Sequence, residues 1–147
     1  MPKDDAVSVL NNLIETCKDG EQGFRTAAEG LTNVEIKSKF QAYARERGEM
    51  ARELQDEVRR LGGDPEKAGS VAGAMHRGWM NITSAVSGSN EHAIVAEAER
   101  GEDSAKSAYE DALKEPLPPS AQAVVREQAG RVRDAHDDVR AMRDRSR

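Results

Sequence analysis

At 147 residues the chain has the length of one ordinary domain, so we expect a single domain over residues 1–147. Charged residues make up 33% of it and aromatics 3%, and 22 basic against 27 acidic side chains leave a formal charge of -5. That balance provides no global field toward phosphate or anionic lipid and few aromatic platforms for bases, which argues against a nucleic-acid partner.

The N-terminus, Met1 to Asp5, is charged, and no apolar run of signal-peptide length follows it. Nor is there a span of about eighteen apolar residues, so we expect no membrane insertion and a cytoplasmic location. The spacing predicts a first helix from about Asp5 to Gly30, because Leu10, Ile14, Cys17, Glu21, Phe24, Ala28 and Leu31 alternate in steps of four and three. Cys17 is the sole cysteine, which excludes an internal disulfide, and its place in this seam makes it a small core residue. Gly20 and Gly23, three apart, are expected either to let another helix approach closely or to allow a local distortion near Glu21.

After a turn at residues 31–34, with Thr32 or Asn33 as cap, a second helix carries Ile36, Phe40, Tyr43, Arg47, Met50, Leu54 and Leu61 on one face. It stops at Gly62-Gly63-Asp64-Pro65. So short a turn makes these helices antiparallel, and folding the hairpin about Asn33 predicts Glu21 and Arg47 in one layer. Residues 66–89, with Val71, Met75, Trp79, Ile82 and Val86 among glycines, read as a short helix within a crossover. About 1.5 Å per helical residue lets such a segment traverse the bundle, so the third long helix is expected to run parallel to the second. Trp79 is expected to bury its ring, and His92 to be solvated.

The third long helix begins after Asn90 with Val95, Ala98, Glu102, Ala105, Tyr109 and Ala112 in register, and ends before Pro116. The fourth begins near Ser120 and carries Ala121, Val125, Gln128, Val132, Ala135, Val139 and Met142. Folding this second hairpin about Pro118 predicts Glu102 opposite Arg133 and Asp134, and Glu99 opposite His136. The arginines of the last helix are interleaved with Glu127, Asp134, Asp137, Asp138 and Asp144, a pattern of helix-surface ion pairs. No period-two alternation is sustained, so no strand is expected.

Residues 10–20, Gly23-Phe24, His76-Arg77-Gly78-Trp79 and Gly101-Glu102-Asp103 with Tyr109 downstream resemble a bacterial four-helix-bundle family of unknown function in the ferritin-like superfamily. The resemblance covers nearly the whole chain and implies a fold, not a reaction. The wider superfamily includes proteins that hold two irons between helices, with a carboxylate on each of two helices and a Glu-x-x-His pair on each of the others. Against that pattern Glu21 and Glu102 stand on the first and third helices, and Glu46 and Glu49 on the second, where Glu49 takes the place of the histidine. On the fourth helix His136 has Arg133 where a ligand glutamate would be, and a guanidinium does not ligate metal.

The seam is therefore interrupted at Glu21, Arg47, Glu102 and Gln128, and burying such a group unpaired costs roughly 1 to 3 kcal/mol. We expect a structural polar core of Glu21, Arg47, Glu102, Gln128 and Arg133, with no catalytic residue and no cofactor. The alternative is a pair of iron ions on Glu21, Glu46, Glu49, Glu102 and His136 in an oxidoreductase or iron-handling protein. A third reading is a helical protein-interaction module, marked by exposed Leu, Met or Val outside the seams. The expectation is thus an all-α, ferritin-like four-helix bundle, self-associating and non-enzymatic or degenerate.

Overall fold

Apolar residues recurring every three or four positions have one economical outcome, a helix that buries one stripe. The computed structural model describes residues 1–65 and 78–146 and is all-α, with no strand among those residues. Among the described residues five helices follow in order: α1 (Lys3–Glu29), α2 (Val34–Arg60), α3 (Ile82–Ser87), α4 (Glu91–Leu113) and α5 (Pro119–Arg145). The part of the expected crossover at residues 66–77, including Val71, Met75 and His76, lies outside the described residues, as does Arg147.

Local chemistry sets the helix ends. Asp4 and Asp5 in the first turn of α1 complement the helix dipole, as Arg59 and Arg60 do in the last turn of α2. Asn33 caps α2 by accepting from Ile36 N–H at 3.1 Å, and Asn90 caps α4 by accepting from Ala93 N–H at 3.0 Å. Glu91 adds a cap from another helix, accepting from Thr32 N–H at 2.6 Å and Asn33 N–H at 2.9 Å. The Asn33 and Thr32 N–H groups hold its carboxyl below the usual carboxylate range. Gly62, at φ +78°, lets the chain leave α2 in the left-handed region, and Pro119 starts α5 where no intrahelical donor is needed.

The long helices pack side by side around a square, α1 against α2 and α4, and α5 against α4 and α2. The contacts also fix direction. Thr32 meets Glu91 at one end of α1 and α4 while Cys17 meets Tyr109 further along, so these helices are antiparallel. Lys39 pairs with Asp138 and Arg60 with Ser120, so α2 and α5 are antiparallel too. It follows that α2 and α4 run parallel on one diagonal.

The described part of the connection runs along α1 and α4. Trp79 is pressed into a slot made by two glycines, Gly23 on α1 and Gly101 on α4, where an added Cβ would overlap the indole on either side. Its ring stands edge-on to Phe24 at 5.0 Å, and Phe24 in turn meets Phe40 at 5.1 Å and Tyr43 at 5.3 Å. Gly78, at φ +71°, brings the backbone so near α4 that a Cβ would lie 2.5 Å from the Arg100 carbonyl oxygen. Glu97 then accepts from Asn81 N–H at 2.5 Å.

Among the described residues two apolar clusters result. One joins Leu10, Leu13, Ile14, Leu54, Val58, Val125 and Val132. The other joins Phe24, Phe40, Trp79, Ile94, Val95, Val139 and Met142.

A methyl group on a helix interior glycine raises stability by about 1 kcal/mol where it has room, whereas overpacking a core typically costs 1 to 3 kcal/mol. At Gly130 an added Cβ meets nothing within 4 Å. Gly130→Ala is therefore expected to raise the denaturant midpoint, and Gly101→Ala to lower it and red-shift the emission of Trp79, the sole tryptophan. Equilibrium unfolding followed by fluorescence and circular dichroism checks both.

Candidate functional site: a buried polar layer between two apolar clusters

Between the two clusters lies a layer whose residues do not transfer well from water. Arg47 on α2 is 1% exposed and Glu102 on α4 is 0% exposed. They meet across the diagonal, with Arg47 Nη1 donating to Glu102 Oε1 at 2.8 Å and Nη2 to Oε2 at 2.5 Å. This two-pronged geometry uses both carboxylate oxygens and is the strong form of the interaction. Burial alone would lower the Arg47 pKa, but the charge and hydrogen bonds of Glu102 outweigh it and drive the value upward, so the guanidinium stays charged.

Room for this arginine comes from a missing side chain. A Cβ at Gly20 would lie 3.0 Å from Arg47 Nη1 and 3.3 Å from its Cγ. Arg47 Cζ sits 5.5 Å from the centroid of the Phe24 ring, within the range of a cation–π contact. Arg47 Nε has no hydrogen-bond partner among the described residues.

A second set of buried polar groups adjoins the pair. Gln128 on α5 donates from Nε2 to the Met50 carbonyl at 3.1 Å and to Glu53 Oε1 at 2.8 Å. Tyr109 donates its hydroxyl proton to Gln128 Oε1 at 2.7 Å. With that proton committed, the Tyr109 oxygen accepts from the Cys17 thiol, 3.0 Å away. Burial pushes the Cys17 thiol up to about 11 and also raises the Tyr109 hydroxyl well above its ordinary value. Both are neutral near pH 7, which disfavours Cys17 as a nucleophile.

The residues singled out in the sequence are thus distributed differently from expectation. Glu21 is not in the layer: its side chain is 29% exposed, pairs with Arg25 at 3.2 Å and lies over Gly48 of α2. The core position belongs to Gly20, because Cys17, Gly20 and Phe24 satisfy the alternation of three and four as well as Cys17, Glu21 and Phe24 do. A glycine carries no hydrophobic signal, so the seam could not be seen to pass through it. Arg47 consequently pairs with Glu102 of the other hairpin and not with Glu21. Arg133 is also outside the core, 65% exposed beside Asp134 at 3.9 Å.

Glu99 is paired with Arg143, with Arg140 3.9 Å away, in place of the expected His136. His136 is buried but lies between Asp103, at 2.6 Å from Nε2, and Asp137, at 3.2 Å from Nδ1. His92, expected in solvent, is half-buried with Nδ1 2.7 Å from Ser146 Oγ. Glu49 is exposed and Glu46 half-buried, its carboxyl raised by that burial. Among the described residues no three His, Cys, Asp or Glu side chains converge as a metal site requires. The donor set does not fit two irons: both Glu102 oxygens are engaged by a guanidinium, Glu21 pairs with Arg25, His136 lies between Asp103 and Asp137, and Glu49 is exposed.

The largest described surface depression is a groove of about 550 Å³ along α1, walled by Glu15, Asp19 and Glu21 and floored by Gly23, Trp79 and Ile82. Met80, 76% exposed, stands at its edge. Among the described residues no helix is long and apolar enough to cross a membrane.

Residues 5–115 match the family described as a domain of unknown function, DUF2383, and the chain belongs to that family. The match runs from α1 to just beyond α4 and stops before α5, which supplies Gln128 and His136. No curated protein matches the chain.

Removing one member of a buried pair strands the other, which typically costs about 3 to 5 kcal/mol. Arg47→Met and Glu102→Gln are each expected to destabilise the protein, Arg47→Met by that order because it leaves a full carboxylate charge buried. Chemical denaturation of the two variants against the parent measures it. Cys17 is expected to resist a disulfide thiol reagent at pH 8, well below its raised pKa, and to react at once in denaturant.

Proposed function

We propose that this protein is a ferritin-like four-helix bundle in which an internal ion pair stands where metal-binding relatives of the fold carry a dinuclear centre. It is non-enzymatic in this reading and acts by assembly. The single observation that carries it is the two-pronged Arg47–Glu102 contact, closed on both carboxylate oxygens and buried at the middle of the helices. The helix directions support the fold: two antiparallel hairpins joined so that α2 and α4 run parallel, as a long crossover requires. A cation fixed by covalent bonds neutralises Glu102 without any metal, and its pKa keeps it charged at every physiological pH.

Self-association with a second copy is the role that the surface supports. Met80 is a large apolar side chain in water outside the four seams, beside a groove whose floor is apolar and whose walls are mainly acidic. Its removal from water would favour a contact, since full burial of such a side chain is worth roughly 1.5 to 3 kcal/mol.

Protein from iron-supplemented cells, analysed by elemental mass spectrometry, should contain no stoichiometric iron. About two equivalents per chain, lost in Glu102→Gln with the helical spectrum intact, would sink the metal-free reading. Light scattering after size exclusion should give more than one chain per particle, falling to one in Met80→Glu. A monomer at all concentrations removes the assembly role.

A further inference from the structure

Within the layer formed by Arg47, Glu102, Gln128, Tyr109 and Cys17, every hydrogen bond except Tyr109 to Gln128 joins one hairpin to the other. Arg47 of α2 reaches Glu102 of α4, Gln128 of α5 reaches the Met50 carbonyl and Glu53 of α2, and Tyr109 of α4 reaches Cys17 of α1. We infer that these groups are a register lock: they select how the α4/α5 hairpin docks on the α1/α2 hairpin, while the apolar seams supply the stability. This inference does not depend on the metal-free reading, since it concerns only what the polar contacts do between the hairpins.

The reason lies in what a slip would encounter. Sliding the second hairpin by one heptad, about 10.5 Å, places the Arg47 layer against Val95 or Tyr109, and Glu102 against Phe40 or Leu54. Aliphatic contacts are non-directional and tolerate such exchange when volume is kept. A guanidinium and a carboxylate do not, because each would be buried without its partner. Gln128 has the same property, as its amide group makes three hydrogen bonds that exist in one register only.

The test compares the parent with the full-length variant Arg47→Met, Glu102→Leu, Gln128→Leu, both in a Cys17→Ser background. Spin labels on cysteines introduced at exposed Glu49 and Ser107 report the distance between hairpins. The parent should give one narrow distance by pulsed electron spin resonance, and the apolar variant a broadened or two-component distribution with hydrogen exchange of α4 and α5 accelerated at least tenfold. One narrow parental distance in the apolar variant overturns the inference, and so does failure of that variant to fold, because the seams would then not suffice for stability. A second variant moves the carboxylate by one heptad, Val95→Glu with Glu102→Val. It should shift the main distance away from the parental value, and a parental distance there is an equally adverse result.

Discussion

Arg47 and Glu102 cannot be understood singly, and much of the surrounding structure follows from that. Each charge would resist transfer out of water by several kcal/mol on its own, so neither is tolerable at the centre without the other. Their mutual contact has to span the diagonal between α2 and α4, helices that do not pack against one another directly. This sets the layer in which the four helices are level. It also sets the requirements on neighbours: no side chain at position 20, an aromatic face at Phe24, and apolar clusters closed off above and below.

The Trp79 slot meets a different requirement by a related device. A connection leaving α2 at one end must reach α4 at the other, and the described part of it is held flat against α1 and α4 by an indole that only two glycines admit. Gly23 and Gly101 give up helix propensity, about 1 kcal/mol each, for burial of the largest side chain and its edge-on contact with Phe24. The ring cluster of Phe24, Phe40 and Trp79 therefore lies entirely on one side of the polar layer. On the other side aliphatic residues and Tyr109 fill the core, and the Cys17 thiol serves as a hydrogen-bonded packing group.

How far the chain could be read without its structure varies with the range of the interaction. The seams of the long helices, a cap at Thr32 or Asn33, the helix start after Asn90 and the break at Gly62 depend on neighbours within a few residues, and they were legible. Arg47, Glu102 and Gln128 were visible as polar interruptions because their neighbours three and four residues away are apolar. Glu21 looked equivalent, yet Gly20 occupies the core, since two seam phases differ there by one position and only one contains a side chain. Folding each hairpin on itself also pairs residues only within that hairpin. It assigned Glu102 to Arg133 and Arg47 to Glu21, and no such operation can produce a contact across the diagonal.

By itself, the sequence determined an all-α chain, the extent of its long helices and the identity of three buried polar residues, because 3.6-residue periodicity and end-capping are local and repeat in the linear order. The tertiary structure alone decided which charge neutralises which, that glycines make the space for Arg47 and Trp79, and that Glu21, Glu49, Glu102 and His136 do not converge on one point. Those outcomes depend on the rotation of each helix about its axis and on which helices share a diagonal. A shift of one residue turns a side chain by about 100°, enough to exchange core for surface, and only the packing of all four helices together selects among such rotations.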